Sequence, residues 1–186
     1  MSEDRLIPAP SGLKPQKFSP RKVANGQIVP SLKDVESQRI LVAEDDSLSR
    51  KILIRFLVQW GFKPEEASDG QQAMMMLRRL DAPSMAILDW EMPEMDGTEI
   101  CRRVREADRT LHIIMLSARE GKHMMLEALD AGADDYLTKP CDPDELQARL
   151  RVGARNIRLQ SMLADQVREL RNAKEELEFL RRKSSI

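Results

Sequence analysis

The chain has 186 residues, about the length of one ordinary domain with appendages. Apolar residues make up 41% and charged residues 33%, which excludes membrane-embedded and low-complexity classes, and two cysteines with no CxxC spacing argue against a disulfide scaffold or a zinc site. The net charge of −1 is uneven: residues 1–38 hold 6 basic against 4 acidic side chains, residues 39–150 hold 15 against 22, and residues 151–186 hold 9 against 5.

The N-terminal segment, residues 1–38, is predicted to be a flexible leader. Five of the ten prolines fall within its first 30 residues, among Ser, Gly, Lys and Gln, with no sustained apolar period. The chain starts Met1-Ser2-Glu3-Asp4 and lacks the charged-then-apolar pattern of a secretory signal peptide. We therefore expect a cytoplasmic location and no membrane contact.

After this leader, short apolar runs alternate with amphipathic stretches. The patterns predict strands at 39–43, 63–67, 84–88, 111–116 and 135–138, and helices at 48–60, 71–80, 97–107, 120–131 and from about 144. Pro64 favours an edge position for the second strand. Five strand–helix units in succession predict an α/β fold with a mainly parallel sheet and helices on both faces.

Polar residues follow the predicted strands at their carboxyl ends, where open parallel sheets bind ligands. These are Glu44, Asp45 and Asp46 after the first strand, Asp89 after the third, Ser117 after the fourth and Lys139 after the fifth. Oxygen donors without nearby His or Cys suit Mg²⁺. A carboxylate beside Mg²⁺ can attack a phosphoryl group and form an aspartyl phosphate.

Four separated motifs carry a family resemblance: ILVAEDDSLSR, AILDWEMPEMDG, IIMLSARE and DAGADDYLTKP. In this order and spacing they resemble the CheY-like receiver domain of two-component response regulators. The resemblance covers residues 39–155 and implies a flavodoxin-like, doubly wound, five-stranded parallel sheet of order 2-1-3-4-5. It also implies a phosphoacceptor signalling domain, not an enzyme, whose partner is a sensor histidine kinase or a phosphotransfer protein.

The same resemblance implies residue roles at the metal and phosphate sites. Asp89 would accept the phosphoryl group, and Lys139 would pair with a phosphate oxygen. Asp45 would bind Mg²⁺ directly, Glu44 through a water molecule, and Glu91 through its backbone carbonyl. The peptide bond before Pro140 would be cis.

Further roles concern the response to phosphorylation. Ser117 takes the position of the phosphate-sensing hydroxyl, and Tyr136 that of the aromatic switch residue, expected to turn inward when Ser117 moves. We also hypothesise that Glu91 and Arg119 pair across the mouth of the pocket and slow hydrolysis.

The residues also leave other functions open. The alternative is a regulatory fragment of a larger receiver–diguanylate cyclase or receiver–phosphatase enzyme that lacks its catalytic domain. A haloacid-dehalogenase-like phosphatase normally carries a DxD arrangement, which the DWE at 89–91 does not supply. Direct nucleic-acid binding is not expected, because no helix-turn-helix follows residue 150 and the basic tail lacks interleaved aromatics.

The C-terminal sequence, residues 156–186, predicts a helical extension. A single helix of ~40 residues from about Asp144 is expected, since no proline and only one glycine occur up to Lys183. A seam at Leu163, Val167, Leu170, Lys174, Leu177 and Arg181 alternates four- and three-residue steps, with polar residues at two a positions and a stutter before it. A parallel homodimeric coiled coil is favoured over a single solvated helix.

Overall fold

The structure is a computed structural model that describes residues 38–107 and 110–183, with only the backbone described at 177–180, 182 and 183. The leader predicted over residues 1–38 lies, apart from Gln38, outside the described residues. The strands are β1 (Arg39–Ala43), β2 (Lys63–Ala67), β3 (Met85–Asp89), β4 (His112–Ser117) and β5 (Asp135–Thr138). The helices are α1 (Ser47–Gln59), α2 (Gly70–Leu77), α3 (Gly97–Glu106), α4 (Lys122–Asp130) and α5 (Pro143–Lys183).

The five strands form one parallel sheet in the order β2-β1-β3-β4-β5, which confirms the predicted doubly wound fold. Strand β2 is at the edge, as Pro64 indicated. The order reverses between β1 and β3, since the chain first extends the sheet on one side of β1 and then on the other. This switch point creates a crevice at the carboxyl ends of those two strands.

Successive side chains of each buried strand point to opposite faces of the sheet, which divides the core into two layers. Ile40 and Val42 of β1 face one side, where they pack with buried residues of α1 and α5 such as Leu57 and Leu150. Leu41 and Ala43 face the other side, where helices α2, α3 and α4 supply the cover. A strand buried on both faces must be apolar at every position, which explains the continuous run in β1.

Aspartates fix the starts of three helices. Asp46 accepts a hydrogen bond from the backbone N–H of Ser49 at 2.7 Å, Asp69 does so for α2, and Asp96 for α3. Each satisfies a donor that the first helical turn leaves unpaired. Asp46 is therefore the N-cap of α1, whereas the carboxylate of the neighbouring Asp45 lies near those of Glu44 and Asp89 in the crevice.

The largest boundary differences are at α2 and α4. Helix α2 ends at Leu77, three residues before the predicted end, because Leu80 continues the apolar spacing in the sequence but is fully exposed. Helix α4 begins at Lys122, two residues later than predicted. The preceding Gly121 has a φ of +115°, which is incompatible with a helical turn.

Helix α5 has 41 residues, and only its first part packs on the sheet. Leu146, Leu150 and Ala154 are buried, whereas every described side chain from Leu159 onward is exposed. The predicted length is confirmed. Despite that length, α5 is too polar to cross a bilayer, and the described chain contains no other helix suited to doing so.

Gly153 is the point of closest approach between α5 and β4. A Cβ atom at this position would lie 2.1 Å from Cδ2 of His112, so the absence of a side chain lets the imidazole lie directly under the helix. His112 is buried, and its Nε2 has no hydrogen-bond partner among the described residues. Burial lowers the pKa of His112, although Asp134 and Asp135 lie nearby and oppose the effect.

Candidate phosphoacceptor site

The carboxyl ends of β1, β3, β4 and β5 bring the predicted site residues together. Carboxylate oxygens of Glu44, Asp45 and Asp89 all lie within 4.8 Å of one another. Glu44 and Asp89 are buried, while Asp45 is exposed. The structure thus gathers three acids that lie up to 45 positions apart in the sequence.

Lys139 bridges the two buried carboxylates. Its Nζ lies 2.6 Å from Oε2 of Glu44 and 2.9 Å from Oδ2 of Asp89. The Lys139–Pro140 peptide bond is cis, as predicted. The backbone N–H of Lys139 donates to the carbonyl oxygen of Ser117 at 2.7 Å, so β4 and β5 continue to pair up to the site.

The electrostatics of this cluster favour a cationic lysine between acids. Burial raises the pKa of Glu44, and the hydrogen bond from Lys139 opposes that rise. Burial by itself lowers the pKa of Lys139, but hydrogen bonds to Glu44 and Asp89 outweigh it, so the pKa lies above the usual value. One ammonium group cannot neutralise three carboxylates, so Glu44, Asp45 and Asp89 form a group that could hold a cation.

Arg50 is a positioning residue that the sequence patterns did not reveal. Its Nη1 donates to the backbone carbonyl oxygen of Glu44 at 2.6 Å and to that of Asp45 at 3.3 Å. The guanidinium reaches back from the first turn of α1 and fixes the segment that presents both acids. The six-residue separation from Glu44 matches no helical or strand repeat, so no periodicity could reveal this contact.

Ser117 is buried at the end of β4, and its Oγ accepts a hydrogen bond from the backbone N–H of Arg119 at 3.0 Å. The Arg119 carbonyl oxygen in turn accepts a hydrogen bond from the Tyr136 hydroxyl. Two predicted switch residues are therefore joined through one peptide segment. That segment is the start of the loop between β4 and α4.

Trp90, the residue after Asp89, is buried and contacts both Tyr136 and Arg119. The Tyr136 ring meets it edge-on, with centroids 6.2 Å apart and planes at 89°. The Arg119 guanidinium lies 5.7 Å from the Trp90 centroid and pairs with Glu91 through an Nε–Oε1 distance of 2.7 Å. The hypothesised pairing of Glu91 with Arg119 is thus present. The Trp90 ring also contacts the Arg119 guanidinium, which the sequence did not indicate.

The protein-family and sequence comparisons point to the same family. The response regulator receiver domain model matches residues 40–151. The response regulator MprA of Mycobacterium ulcerans is 43% identical over 124 residues, which cover 67% of this chain and 53% of that protein. The chain spans about half the length of the curated relatives it matches.

Solved structures agree with this match. The receiver domain of the Francisella response regulator 1452 is 30% identical, with a TM-score of 0.61, over 64% of this chain and 98% of that one. A probable two-component system response regulator/GGDEF domain protein is 29% identical, also with a TM-score of 0.61, over 65% of this chain and 50% of that one.

Proposed function

The chain belongs to the response regulator receiver domain family, and we propose that it is a two-component switch in which Asp89 accepts a phosphoryl group with Mg²⁺ bound beside it. Receiver domains of response regulators are signalling domains, so the chemistry serves a change of state and not turnover. The observation that carries the proposal is the position of Lys139, within 2.9 Å of Asp89 and 2.6 Å of Glu44, next to a third carboxylate.

The donor set fits a hard divalent cation. Glu44, Asp45 and Asp89 offer only oxygen atoms, which Mg²⁺ prefers, and the described part of the cluster contains no His or Cys ligand. The backbone carbonyl of Glu91 is proposed as a further ligand. When bound, Mg²⁺ neutralises charge on the phosphoryl oxygens during transfer.

The transfer itself uses the Asp89 carboxylate as nucleophile. A carboxylate oxygen attacks phosphorus in the phosphohistidine of a sensor kinase or phosphotransfer protein. The P–O bond forms as the P–N bond breaks, and the departing imidazole takes up a proton from solvent. Lys139 is close enough to exchange its contact with Asp89 for one with a phosphoryl oxygen, as a charge-assisted hydrogen bond.

The switch is proposed to pass through Ser117. Its Oγ currently accepts from the Arg119 N–H, and a phosphoryl group on Asp89 offers its hydroxyl a charged acceptor instead. Moving Ser117 toward Asp89 releases the Arg119 segment, and with it the hydroxyl of Tyr136. Phosphate thereby biases a two-state element, as a switch requires.

The output is proposed to act through α5, which leaves the sheet after Ile157 and then carries an exposed apolar stripe. We infer that this helix forms a homodimer and that the change near Tyr136 alters self-association or the activity of an attached output. No direct contact with nucleic acid is required by this function.

The test combines a covalent and an optical measurement. The full chain incubated with acetyl phosphate and Mg²⁺ should gain the mass of one phosphoryl group, and Asp89→Asn should gain none. Asp96→Asn is the matched control, because asparagine still caps α3 and the acid lies outside the cluster. In a Trp60→Phe background, where Trp90 is the only tryptophan, beryllofluoride should change the fluorescence. An adduct that persists in Asp89→Asn would refute the role of Asp89.

A further inference from the structure

The exposed part of α5 carries an apolar stripe with no cover among the described residues. Five large apolar side chains lie in this solvated stretch: Leu159, Met162, Leu163, Val167 and Leu170. Helices that are solvated all round do not need such a stripe. We propose that residues 159–183 pair with the same helix of a second copy, in parallel and in one defined register, with Leu163 and Leu170 at a positions.

This register differs from the seam that the sequence first suggested. That seam takes Leu163 and Leu170 as d positions, which puts Lys174 at a and requires a stutter after Leu159. If Leu163 is a instead, Leu159 becomes the preceding d residue at a regular four-residue step, and the stutter disappears.

The residues assigned to the core become more apolar in the new register. The a positions are Leu163, Leu170 and Leu177, and the d positions are Leu159, Gln166, Ala173 and Leu180. Gln166 is the single polar core residue, whereas the first seam contains two cations.

Charge fixes the orientation of the pair. In this register Glu169 is at g and Lys174 at e, and the same pattern returns seven residues later with Glu176 and Arg181. In a parallel pair a g residue faces the e residue five positions later on the partner, so Glu169 meets Lys174 of the second copy. In an antiparallel pair g faces g and e faces e, which would oppose like charges at every such contact.

The seam is short, at about three and a half heptads, and it contains Gln166, so the helix pair by itself is expected to associate weakly. One consequence of this inference rests on the proposed function: phosphorylation of Asp89 changes the strength of this association. The register does not depend on that consequence. It is tested in the unphosphorylated chain, while adduct formation on Asp89 is measured separately.

The first experiment exchanges charges in the full chain and follows self-association by sedimentation velocity over a concentration series. E169K alone should weaken the dimer by about tenfold, since both symmetry-related contacts change from attraction to repulsion. K174E alone should do the same, and the double variant E169K/K174E should restore association. A mixture of the two single variants should give a heterodimer.

The second experiment tests parallel alignment by disulfide formation in a Cys141→Ser background, in which the remaining Cys101 is buried. Ala173→Cys, at a d position, should crosslink to its equivalent on oxidation. Glu175→Cys, on the outer face of the same turn, is the matched control and should stay reduced at the same protein concentration.

Three outcomes would overturn the inference. These are a chain that stays monomeric at all concentrations, a double variant that associates no better than the single ones, and crosslinking at residue 175 that equals crosslinking at residue 173. A monomeric chain that still forms the Asp89 adduct would reject the register and leave the phosphoacceptor role standing.

Discussion

The hydroxyl of Tyr136 donates a hydrogen bond to the backbone carbonyl oxygen of Arg119, whose N–H donates to Ser117 Oγ. One peptide segment is therefore held at both ends by the two residues proposed to sense and to report the phosphoryl group. Because Arg119 begins the β4–α4 loop, the contact ties the state of β5 to that loop.

Tyr136→Phe should remove this hydrogen bond and keep the edge-on contact with Trp90. We expect a loss of about 0.5–1.5 kcal/mol in the free energy of unfolding, the usual net value of one hydrogen bond. Urea denaturation measures it. In the same variant, beryllofluoride should still bind but should change Trp90 fluorescence less, because the loop and the ring are no longer coupled. Equal fluorescence changes in parent and variant would contradict the coupling.

Arg119→Ala should shorten the lifetime of the phosphorylated form. The guanidinium pairs with Glu91 and lies over Trp90, the residue after Asp89, and under the hypothesis that this pair shields the phosphoryl group its removal gives water easier access. The decay of the adduct can be followed by mass spectrometry after removal of acetyl phosphate. Glu120→Ala, an exposed neighbour, is the control and should decay like the parent. Because the ion pair is exposed, the unfolding midpoint of Arg119→Ala should hardly change.

Gly153→Ala should destabilise the fold although alanine favours helices. Helix propensity gains about 1 kcal/mol, whereas overpacking of a filled core costs about 1–3 kcal/mol. Here the added Cβ would lie 2.1 Å from Cδ2 of His112. In a His112→Ala background, which removes the ring, the same substitution should become stabilising. Urea denaturation of the parent, the two single variants and the double variant decides this, and a stabilising effect with the ring present would contradict the packing argument.

His112 should make stability depend on pH in the weakly acidic range. Burial lowers its pKa below the usual value of about 6.5, so the folded state binds the proton less readily than the unfolded state. The contribution of neutral His112 is complete above about pH 6.5 and is lost as the pH falls toward the folded pKa. The groups facing it are Asp134, Asp135 and Arg105, together with Gly153 of α5.

The measurement compares urea denaturation of the parent and of His112→Asn at about pH 7.5 and about pH 5.5. Carboxyl groups titrate in both proteins, so the difference between the two isolates the histidine. The parent should lose more stability than the variant on acidification. Equal losses would mean that the pKa of His112 is the same in the folded and unfolded states, which would contradict the effect of burial.

The apolar patterns predicted the parallel sheet and the convergence of the acids, because strand ends in a parallel sheet meet at one edge whatever lies between them, whereas the strand order came from the family resemblance. The spacing of the residues could not separate Asp45 from Asp46, since both follow β1, and it was the family resemblance that assigned the metal to Asp45. The spacing also could not reveal Arg50 or the contact between Gly153 and His112. Those contacts depend on how helices pack against the sheet, and no sequence period encodes that packing.

Helix α5 is continuous from Pro143 to Lys183, and only its first turns are anchored to the sheet. From Gly153 to Lys183 it extends about 45 Å at 1.5 Å per residue. A rigid rod fixed at one end works as a lever, so a tilt of about 5° at the anchor would shift the far end by about 4 Å. A displacement too small to rearrange the core could thus realign whatever is attached to the end of the rod.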